Sequence, residues 1–188
     1  MTDLAMVLAV SGAAGFQVSR LLRMRQRPRL QLQLGDAQTP AHVRIGNRPA
    51  LVWTIQLENG GSEPAIGCHA SIDKLEFFDG ALWRPHPGFA YPLPLPWTIV
   101  GARSRLDLGP GETTPELPLL ITWLDAPKLR LVTPLEISSG FMLEYPAGMY
   151  RLTVIVRTGN TPEIFVRRRF RVKFDGKPEG IRIEAVRE

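Results

Sequence analysis

The sequence predicts an all-β protein, an antiparallel β-sandwich of about seven to nine strands preceded by one N-terminal helix. Two observations support this fold class. From Arg29 onward, apolar side chains occur at every second position, as in strands that bury one face and expose the other. Before that point, residues 4–18 are apolar and carry no charge. We therefore expect a helix with an arginine-rich neck over 1–28 and a β domain over 29–188.

The N-terminal helix is predicted to span a membrane once. Its apolar run reaches from Leu4 to Leu22 when Ser19 and a snorkelling Arg20 are included, and nineteen helical residues extend about 28 Å against a hydrocarbon layer of about 30 Å. The arginines that follow place the β domain in the cytoplasm under the positive-inside rule. These membrane-flanking residues are Arg20, Arg23, Arg25, Arg27 and Arg29. A soluble helix docked on a partner and a segment removed by processing remain open alternatives.

The same segment carries two further signals. Ser11, Gly15 and Ser19 follow one another at four-residue spacing, which favours self-association of membrane helices. The neck arginines can also hold anionic lipid head groups, at about 1 kcal/mol per residue near the surface. Pro28 then ends any helix and marks the start of the β domain.

The first half of the β domain shows three alternating segments. They are residues 30–34, 51–58 and 66–72. A glycine-rich turn separates the second segment from the third. Leu75 and Phe77 lie on the opposite parity from Ile72, so we expect a β-bulge near Lys74.

The second half ends in a predicted hairpin. Residues 150–156 and 164–174 alternate, and residues 158–161 supply the turn between them. Arg168 interrupts the pattern of the returning strand, which predicts a bulge or a strand end there. A short last strand is expected over 181–186.

Two stretches resemble known modules. Residues 51–72, LVWTIQLENGGSEPAIGCHASI, and residues 106–112, LDLGPGE, followed by 147–158, AGMYRLTVIVRT, look like parts of immunoglobulin-like sandwiches of the CARDB and fibronectin-type-III-like kind. They share an apolar strand ending in Asn-x-Gly, a Pro-Gly turn and a Gly-x-Tyr strand. The resemblance covers most of residues 29–174 and implies a fold but no activity. The chain departs from antibody domains, because Cys68 has no partner cysteine.

Composition excludes several classes of protein. The chain has 188 residues and is 44% hydrophobic and 22% charged, so it is neither disordered nor a multi-span membrane protein. Its single cysteine excludes an internal disulfide framework and a cysteine-based zinc site. The sequence contains no nucleophile-elbow, phosphate-loop, metalloprotease or dinucleotide-binding motif. We therefore expect no enzyme activity, no cofactor and no metal.

Residues 79–101 are expected to form one long loop. Its central part, 83–97, combines five prolines with four aromatic residues. Prolines reduce the entropy that such a loop loses on ordering, and rigid aromatic side chains suit a binding surface. The candidate partner-binding residues are Trp83, Phe89, Tyr91 and Trp97. The alternative is a rigid crossover whose aromatic side chains cap one end of the sandwich.

The net charge of +5 is concentrated in two patches. Residues 20–29 and residues 164–174 each carry five cations and no carboxylate, so the rest of the chain has a net charge of −5. Six cations of the hairpin are expected to share one outer sheet face: Arg151, Arg157, Arg167, Arg169, Arg171 and Lys173. This face suits an acidic protein or anionic lipid, whereas nucleic acid is not expected, because Phe165 is the single aromatic residue among them. A solvated face that discourages aggregation is the alternative.

Together these features predict a non-catalytic, membrane-anchored binding or assembly module that presents an immunoglobulin-like domain to a protein partner near the membrane surface. Two alternatives stay open. One is a structural assembly protein of the phage or virion type, whose N-terminal helix packs on neighbouring subunits. The other is an enzyme on a β scaffold that gathers His86, Asp79 or Glu144 in one pocket with shifted pKa values.

Overall fold

The computed structural model describes residues 27–34, 40–89, 92–98, 104–114, 116–133, 144–161 and 163–186. Within these ranges the chain forms thirteen β-strands and one short 3₁₀ helix, Pro178–Gly180. The strands are β1 (Leu30–Gln33), β2 (Ala41–Ile45), β3 (Arg48–Asn59), β4 (Ala65–Phe78), β5 (Trp83–Pro85), β6 (Leu93–Leu95), β7 (Leu106–Leu108), β8 (Leu117–Trp123), β9 (Leu129–Leu131), β10 (Glu144–Tyr145), β11 (Gly148–Arg157), β12 (Phe165–Phe174) and β13 (Ile181–Ala185).

The strands form two antiparallel sheets that pack as a sandwich. One sheet has six strands in the order β1, β3, β8, β9, β10, with β2 also beside β3. The other has seven, in the order β13, β12, β11, β4, and its last edge is shared by β5, β6 and β7. The predicted all-β antiparallel sandwich is therefore confirmed. The predicted helix over 4–22 lies outside the described residues, and none of the helices within them is long and apolar enough to cross a bilayer.

The described strands outnumber the seven to nine that we predicted, because several are only two or three residues long. Residues 79–101, predicted as one loop, contain β5 and β6. Both bond to one edge of the fourteen-residue strand β4, which is longer than any single neighbour on that side. Three-residue strands are too short to show alternation. Pro94 is tolerated in β6 because it lies in an edge strand and is exposed.

One apolar core fills the space between the two sheets. It includes Trp53 and Ile55 of β3, Leu152 and Val154 of β11, and Ile183 of β13, each at most 3% exposed. These are residues that the alternation placed on inward faces, so the predicted parity of β3, β11 and β13 is confirmed.

A second, smaller cluster lies on the other face of the six-stranded sheet. Its buried members are Ala50, Val52, Ile121, Trp123 and Val132. Val52 and Ile121 are paired across β3 and β8, so they share this face. The alternation of residues 51–58 placed Val52 on a polar face, and the structure buries it instead.

The predicted bulge in β4 is present. Lys74 pairs with Thr153 and Ile72 pairs with Val154, so Asp73 is the extra residue that opposes no partner in β11. The bulge or strand end that we predicted at Arg168 is absent, because β12 continues there in regular register with β11. Since β13 ends opposite Phe170, Arg168 lies at the open margin of the sheet and its side chain stays exposed.

The neck enters the sandwich at the turn between β3 and β4. The NH of Arg29 donates to Asn59 Oδ1 at 3.1 Å, and the NH of Gly60 donates to the carbonyl of Arg29 at 2.9 Å. A Cβ at Gly61 would clash with the backbone of the neck, so only glycine fits there. Pro28 is buried in this contact. The start of the β domain is therefore fixed rigidly to the β3–β4 turn.

Candidate partner-binding face

The outer face of the seven-stranded sheet collects the cations of the hairpin. Directly opposite residues of antiparallel strands share a face, and β11 and β12 pair Arg151 with Arg171 and Arg157 with Phe165. This parity is opposite to that of the core residues Leu152 and Val156. The six predicted cations thus lie together on what we call the basic face: Arg151, Arg157, Arg167, Arg169, Arg171 and Lys173.

Two further cations belong to the basic face. Lys74 of β4 lies opposite Thr153, and Arg182 of β13 lies opposite Lys173; both are exposed. Sequence reasoning missed Lys74 because it stands at the bulge, where parity changes. The alternation of Ile181 and Ile183 was the signal that could have placed Arg182 on this face.

Arg151 is held between a carboxylate and an indole ring. Its Nε and Nη2 donate to the two carboxylate oxygens of Glu76, each at 2.7 Å. Its guanidinium lies 4.8 Å from the ring centre of Trp83, which also packs at 5.4 Å against Phe78. The hydrogen bonds from Arg151 lower the pKa of Glu76 and keep it ionised. The proline-rich segment, residues 83–97, and the basic hairpin, formed by β11 and β12, therefore meet at this contact.

The other cations of the basic face differ in how far they are neutralised. Arg167 donates to Asp73 Oδ2 at 2.9 Å, so the bulge residue pairs with the strand two places away. Arg169, Arg171 and Lys173 are exposed and form no ion pair with the described residues. These three supply the positive charge that is open to a partner.

A groove of about 280 Å³ opens beside the bulge. It lies where the edge of β4 is left uncovered between β5 and β6, and it is lined by Asp73, Lys74, Leu75, Glu76, Pro85, Phe89 and Pro92. The walls combine apolar side chains from the proline-rich segment with charged ones from the basic face. The groove thus joins the two features that the sequence marked separately.

The four aromatic candidates have different positions. Trp83 is half-buried on the basic face, and Phe89 lines the groove and packs against the core. Trp97 is only 4% exposed, and its indole NH donates to the carbonyl of Cys68 at 2.9 Å, a placement that suits a structural role. Tyr91 lies outside the described residues. We therefore keep Trp83 and Phe89 in the candidate surface.

The three residues of the enzyme alternative are held by separate partners. Asp79 accepts hydrogen bonds from the NH groups of Ala81 and Leu82 and forms an ion pair with Arg84. The backbone hydrogen bonds lower the pKa of Asp79 most. Burial lowers the pKa of His86, whose ring lies 5.0 Å from Tyr145.

The third residue, Glu144, lies elsewhere. It forms ion pairs with Lys128 and Arg130, and these hydrogen bonds lower its pKa. Glu144 and Tyr145 are neighbours in β10 and point to opposite faces, so Glu144 faces away from His86. The structure does not gather the three residues in one pocket.

Of the membrane-flanking arginines, Arg27 and Arg29 are described, and both are exposed at the neck. Arg20, Arg23 and Arg25 lie outside the described residues.

Cys68 is fully buried in the core, and desolvation followed by the nearby charge of Asp107 raises the pKa of its thiol to about 11. In the described part of the chain no group of three or more His, Cys, Asp or Glu residues could hold a metal ion. Comparisons with known protein families, curated proteins and solved structures found no match.

Proposed function

We propose that this chain is a non-catalytic binding module, an immunoglobulin-like sandwich tethered to a membrane, whose basic face binds an acidic surface of a protein partner. One observation carries the proposal: the proline-rich segment and the basic hairpin, far apart in sequence, meet through the contact of Trp83 with Arg151. Exposed cations, a rigid aromatic residue and an adjoining apolar groove are the components of a protein-recognition surface.

Strand order supports the immunoglobulin-like assignment. The neighbours β1, β3 and β8 correspond to strands A, B and E of such sandwiches, and β4, β11 and β12 correspond to C, F and G. Tyr150, near the start of β11, donates from its hydroxyl to the carbonyl of Pro146 at 2.7 Å, as in the tyrosine corner before strand F. The narrower likeness to CARDB and fibronectin-type-III-like modules rests on the sequence patterns alone.

The chemistry of the basic face favours an acidic protein. Arg169, Arg171 and Lys173 speed association with an acidic surface through long-range attraction. Trp83, held on the guanidinium of Arg151, offers a preorganised aromatic contact that loses little entropy on binding. The groove beside Phe89 accepts an apolar side chain of the partner. Charge would then guide encounter, and the aromatic contact and groove would hold the complex.

The tether is supported by the sequence. The apolar run from Leu4 to Leu22 contains Arg20 near its end and is followed by four more arginines, which is the pattern of a single-span anchor with its body on the cytoplasmic side. Anionic lipid at the membrane surface would attract the same neck arginines.

Photo-crosslinking tests the binding face. A benzophenone amino acid replaces Leu82, an exposed neighbour of Trp83, in the full chain expressed in its own cells. We expect a crosslink to an acidic protein, identified by mass spectrometry, and a loss of about ten-fold in its yield when Arg169→Glu and Arg171→Glu are combined. The matched control combines Arg44→Glu and Arg48→Glu, two exposed arginines of the six-stranded sheet. Equal yields from both double variants would disprove the proposed face.

Membrane fractionation tests the tether separately. The full chain is expected in the membrane fraction and to resist carbonate extraction, whereas a chain that lacks residues 1–26 is expected in the soluble fraction. If both forms are soluble, the tether is wrong while the binding face stands. A full chain that is soluble as one defined oligomer would favour the structural assembly alternative.

A further inference from the structure

The last strand, β13, has an open edge with an unusual charge pattern. It pairs with β12 on one side, and no strand among the described residues pairs with its other side. We propose that two copies of this chain associate through this edge, β13 against β13 in antiparallel register centred on Ile183. The two seven-stranded sheets then form one continuous sheet. This inference is independent of the proposed partner and of the tether.

The backbone of β13 is arranged for such pairing. The NH of Val186 donates to the carbonyl of Arg169, its direct opposite, at 2.9 Å. Since hydrogen-bonded pairs alternate along an antiparallel ladder, Glu184 and Arg182 are the next β13 residues bonded to β12. The NH and carbonyl groups of Ile181, Ile183 and Ala185 therefore point to the open edge. In a register centred on Ile183, Ile183 lies opposite Ile183 of the second copy and Ile181 lies opposite Ala185. Every NH and carbonyl group at the open edge then forms an inter-copy hydrogen bond.

The side chains fit the same register. Centring on Ile183 places Arg182 of one copy directly opposite Glu184 of the other, on the outer face, and the two-fold axis repeats that pair. Opposite charges in directly opposed positions stabilise a strand pair. On the inner face Ile181 lies opposite Ala185, so apolar meets apolar. Within one copy Glu184 lies opposite Arg171, whereas Arg182 lies opposite the like-charged Lys173. The second copy supplies the carboxylate that Arg182 lacks in its own sheet.

Other features leave this edge open. Natural sheets protect edge strands with prolines, bulges, very short strands or charged side chains, and the two charges of β13, Arg182 and Glu184, are complementary between two copies. β13 has five residues, no proline and no bulge against β12. A groove of about 240 Å³ follows the edge and is lined by Glu179, Ile181, Arg182, Ile183 and Glu184. The equally long strand β2 is different, because self-pairing centred on Val43 would set His42 opposite Arg44. Charge complementarity with a second copy is thus particular to β13.

The pairing has a geometric consequence. Its two-fold axis is perpendicular to the sheet, so the basic faces of both copies lie on the same side while the two necks point in opposite directions. If both copies are tethered to one bilayer, their strands run along the membrane plane. Five residues a side make a small interface, and tethering would raise the effective concentration of each copy for the other.

Cysteine crosslinking tests the register. We expect disulfide-linked dimers when full-length Arg182→Cys and Glu184→Cys chains are mixed and oxidised, because their Cα atoms are directly opposed. Either variant alone should yield little dimer, because residues two places off the direct opposite are about 7–8 Å away. Cys68 is buried, so the unaltered chain serves as the blank. Equal dimer yields from the mixture and from the single variants would overturn the register.

Charge exchange provides a second measurement. Arg182→Glu alone sets like charges opposite each other at two symmetric positions, and we expect dimerisation to weaken about ten-fold. Combining it with Glu184→Arg restores opposite charges and should restore the dimer. Both side chains are exposed, so the sandwich is expected to fold in every variant. If the single exchange leaves dimerisation unchanged, or if the cysteines link β13 to another protein instead, the proposal is wrong.

Discussion

Asn59 ties together three segments of the sandwich. It is fully buried, and its Oδ1 accepts the NH groups of Arg29 and Gly61. Its Nδ2 donates to the carbonyls of Glu63 and Leu108 at 2.8 and 3.2 Å. One side chain thus satisfies backbone groups of the neck, the β3–β4 turn and the end of β7. This is the physical reason for the Asn-x-Gly pattern that ends the strand.

Replacing Asn59 by Ala should therefore be costly. Several buried backbone groups would lose their partner, at about 1–3 kcal/mol for a group left unsatisfied, so we expect the free energy of unfolding to fall by about 2–4 kcal/mol. Urea denaturation followed by tryptophan fluorescence measures the change. Asn160→Ala is the matched control, because Asn160 also bonds to the backbone of the β4 start but is exposed, and its loss should cost less than about 1 kcal/mol. Similar losses in both variants would contradict this role.

Cys68 makes stability depend on pH in the alkaline range. Burial raises the pKa of its thiol from its ordinary value of 9.0 to about 11. Between these values the unfolded chain loses the proton and the folded chain keeps it, so stability falls as the pH rises. Relative to Cys68→Ala, which has no proton to lose, we expect the free energy of unfolding to drop by about 2 kcal/mol from pH 9 to 11. Parallel pH profiles of the two proteins would show that the thiol does not contribute.

In β4, the bulge at Asp73 lets residues before and after it face the core although they stand at positions of opposite parity. Ile72 and Leu75 both face the core although three positions separate them, which an uninterrupted strand does not allow. The bulge at Asp73 absorbs the extra residue. Removing it would leave Lys74 and Ile72 beside their present partners in a regular ladder.

We therefore expect the chain without Asp73 to fold. The deletion removes the exposed ion pair with Arg167, worth about 1 kcal/mol or less, and the local twist. Deleting Ser71 instead should prevent native folding, because a one-residue slip turns Ala70 and the residues before it toward the wrong face. Near-ultraviolet circular dichroism and the cooperativity of urea unfolding compare the two deletions. Loss of native signal in both would contradict our account of the bulge.

Elements with regular alternation could be predicted from sequence, and others could not. The hairpin of β11 and β12 and the parity change at Lys74 follow from side-chain period alone. β5 and β6 were missed because they exist only through hydrogen bonds to the long edge of β4, which is a tertiary cause. Val52 was misplaced for a similar reason, since its face is buried in a second cluster. For the candidate face, parity located the cations, but the contact of Trp83 with Arg151 needed the register of β4.

For the whole molecule, the placement of charge matters more than its sum. The chain has a net charge of +5, yet eight of its described cations lie on one face of one sheet. Sets of unpaired cations in one plane raise the local potential more than the same charges dispersed over the surface. Binding to an anionic surface should therefore follow the basic face rather than the net charge.

Two double variants of equal net charge separate these possibilities. Combining Arg169→Glu with Arg171→Glu removes the centre of the basic face, whereas Arg44→Glu with Arg48→Glu changes exposed positions of the other sheet. On a sulfopropyl cation-exchange column in neutral detergent, we expect the first double variant to elute at markedly lower salt than the unaltered full chain. The second double variant should elute close to the unaltered chain, because such a column retains a protein mainly through its densest patch of cations. If retention depends on net charge alone, the elution salt of both double variants will fall equally. That result would contradict the proposal that the basic face binds an acidic partner.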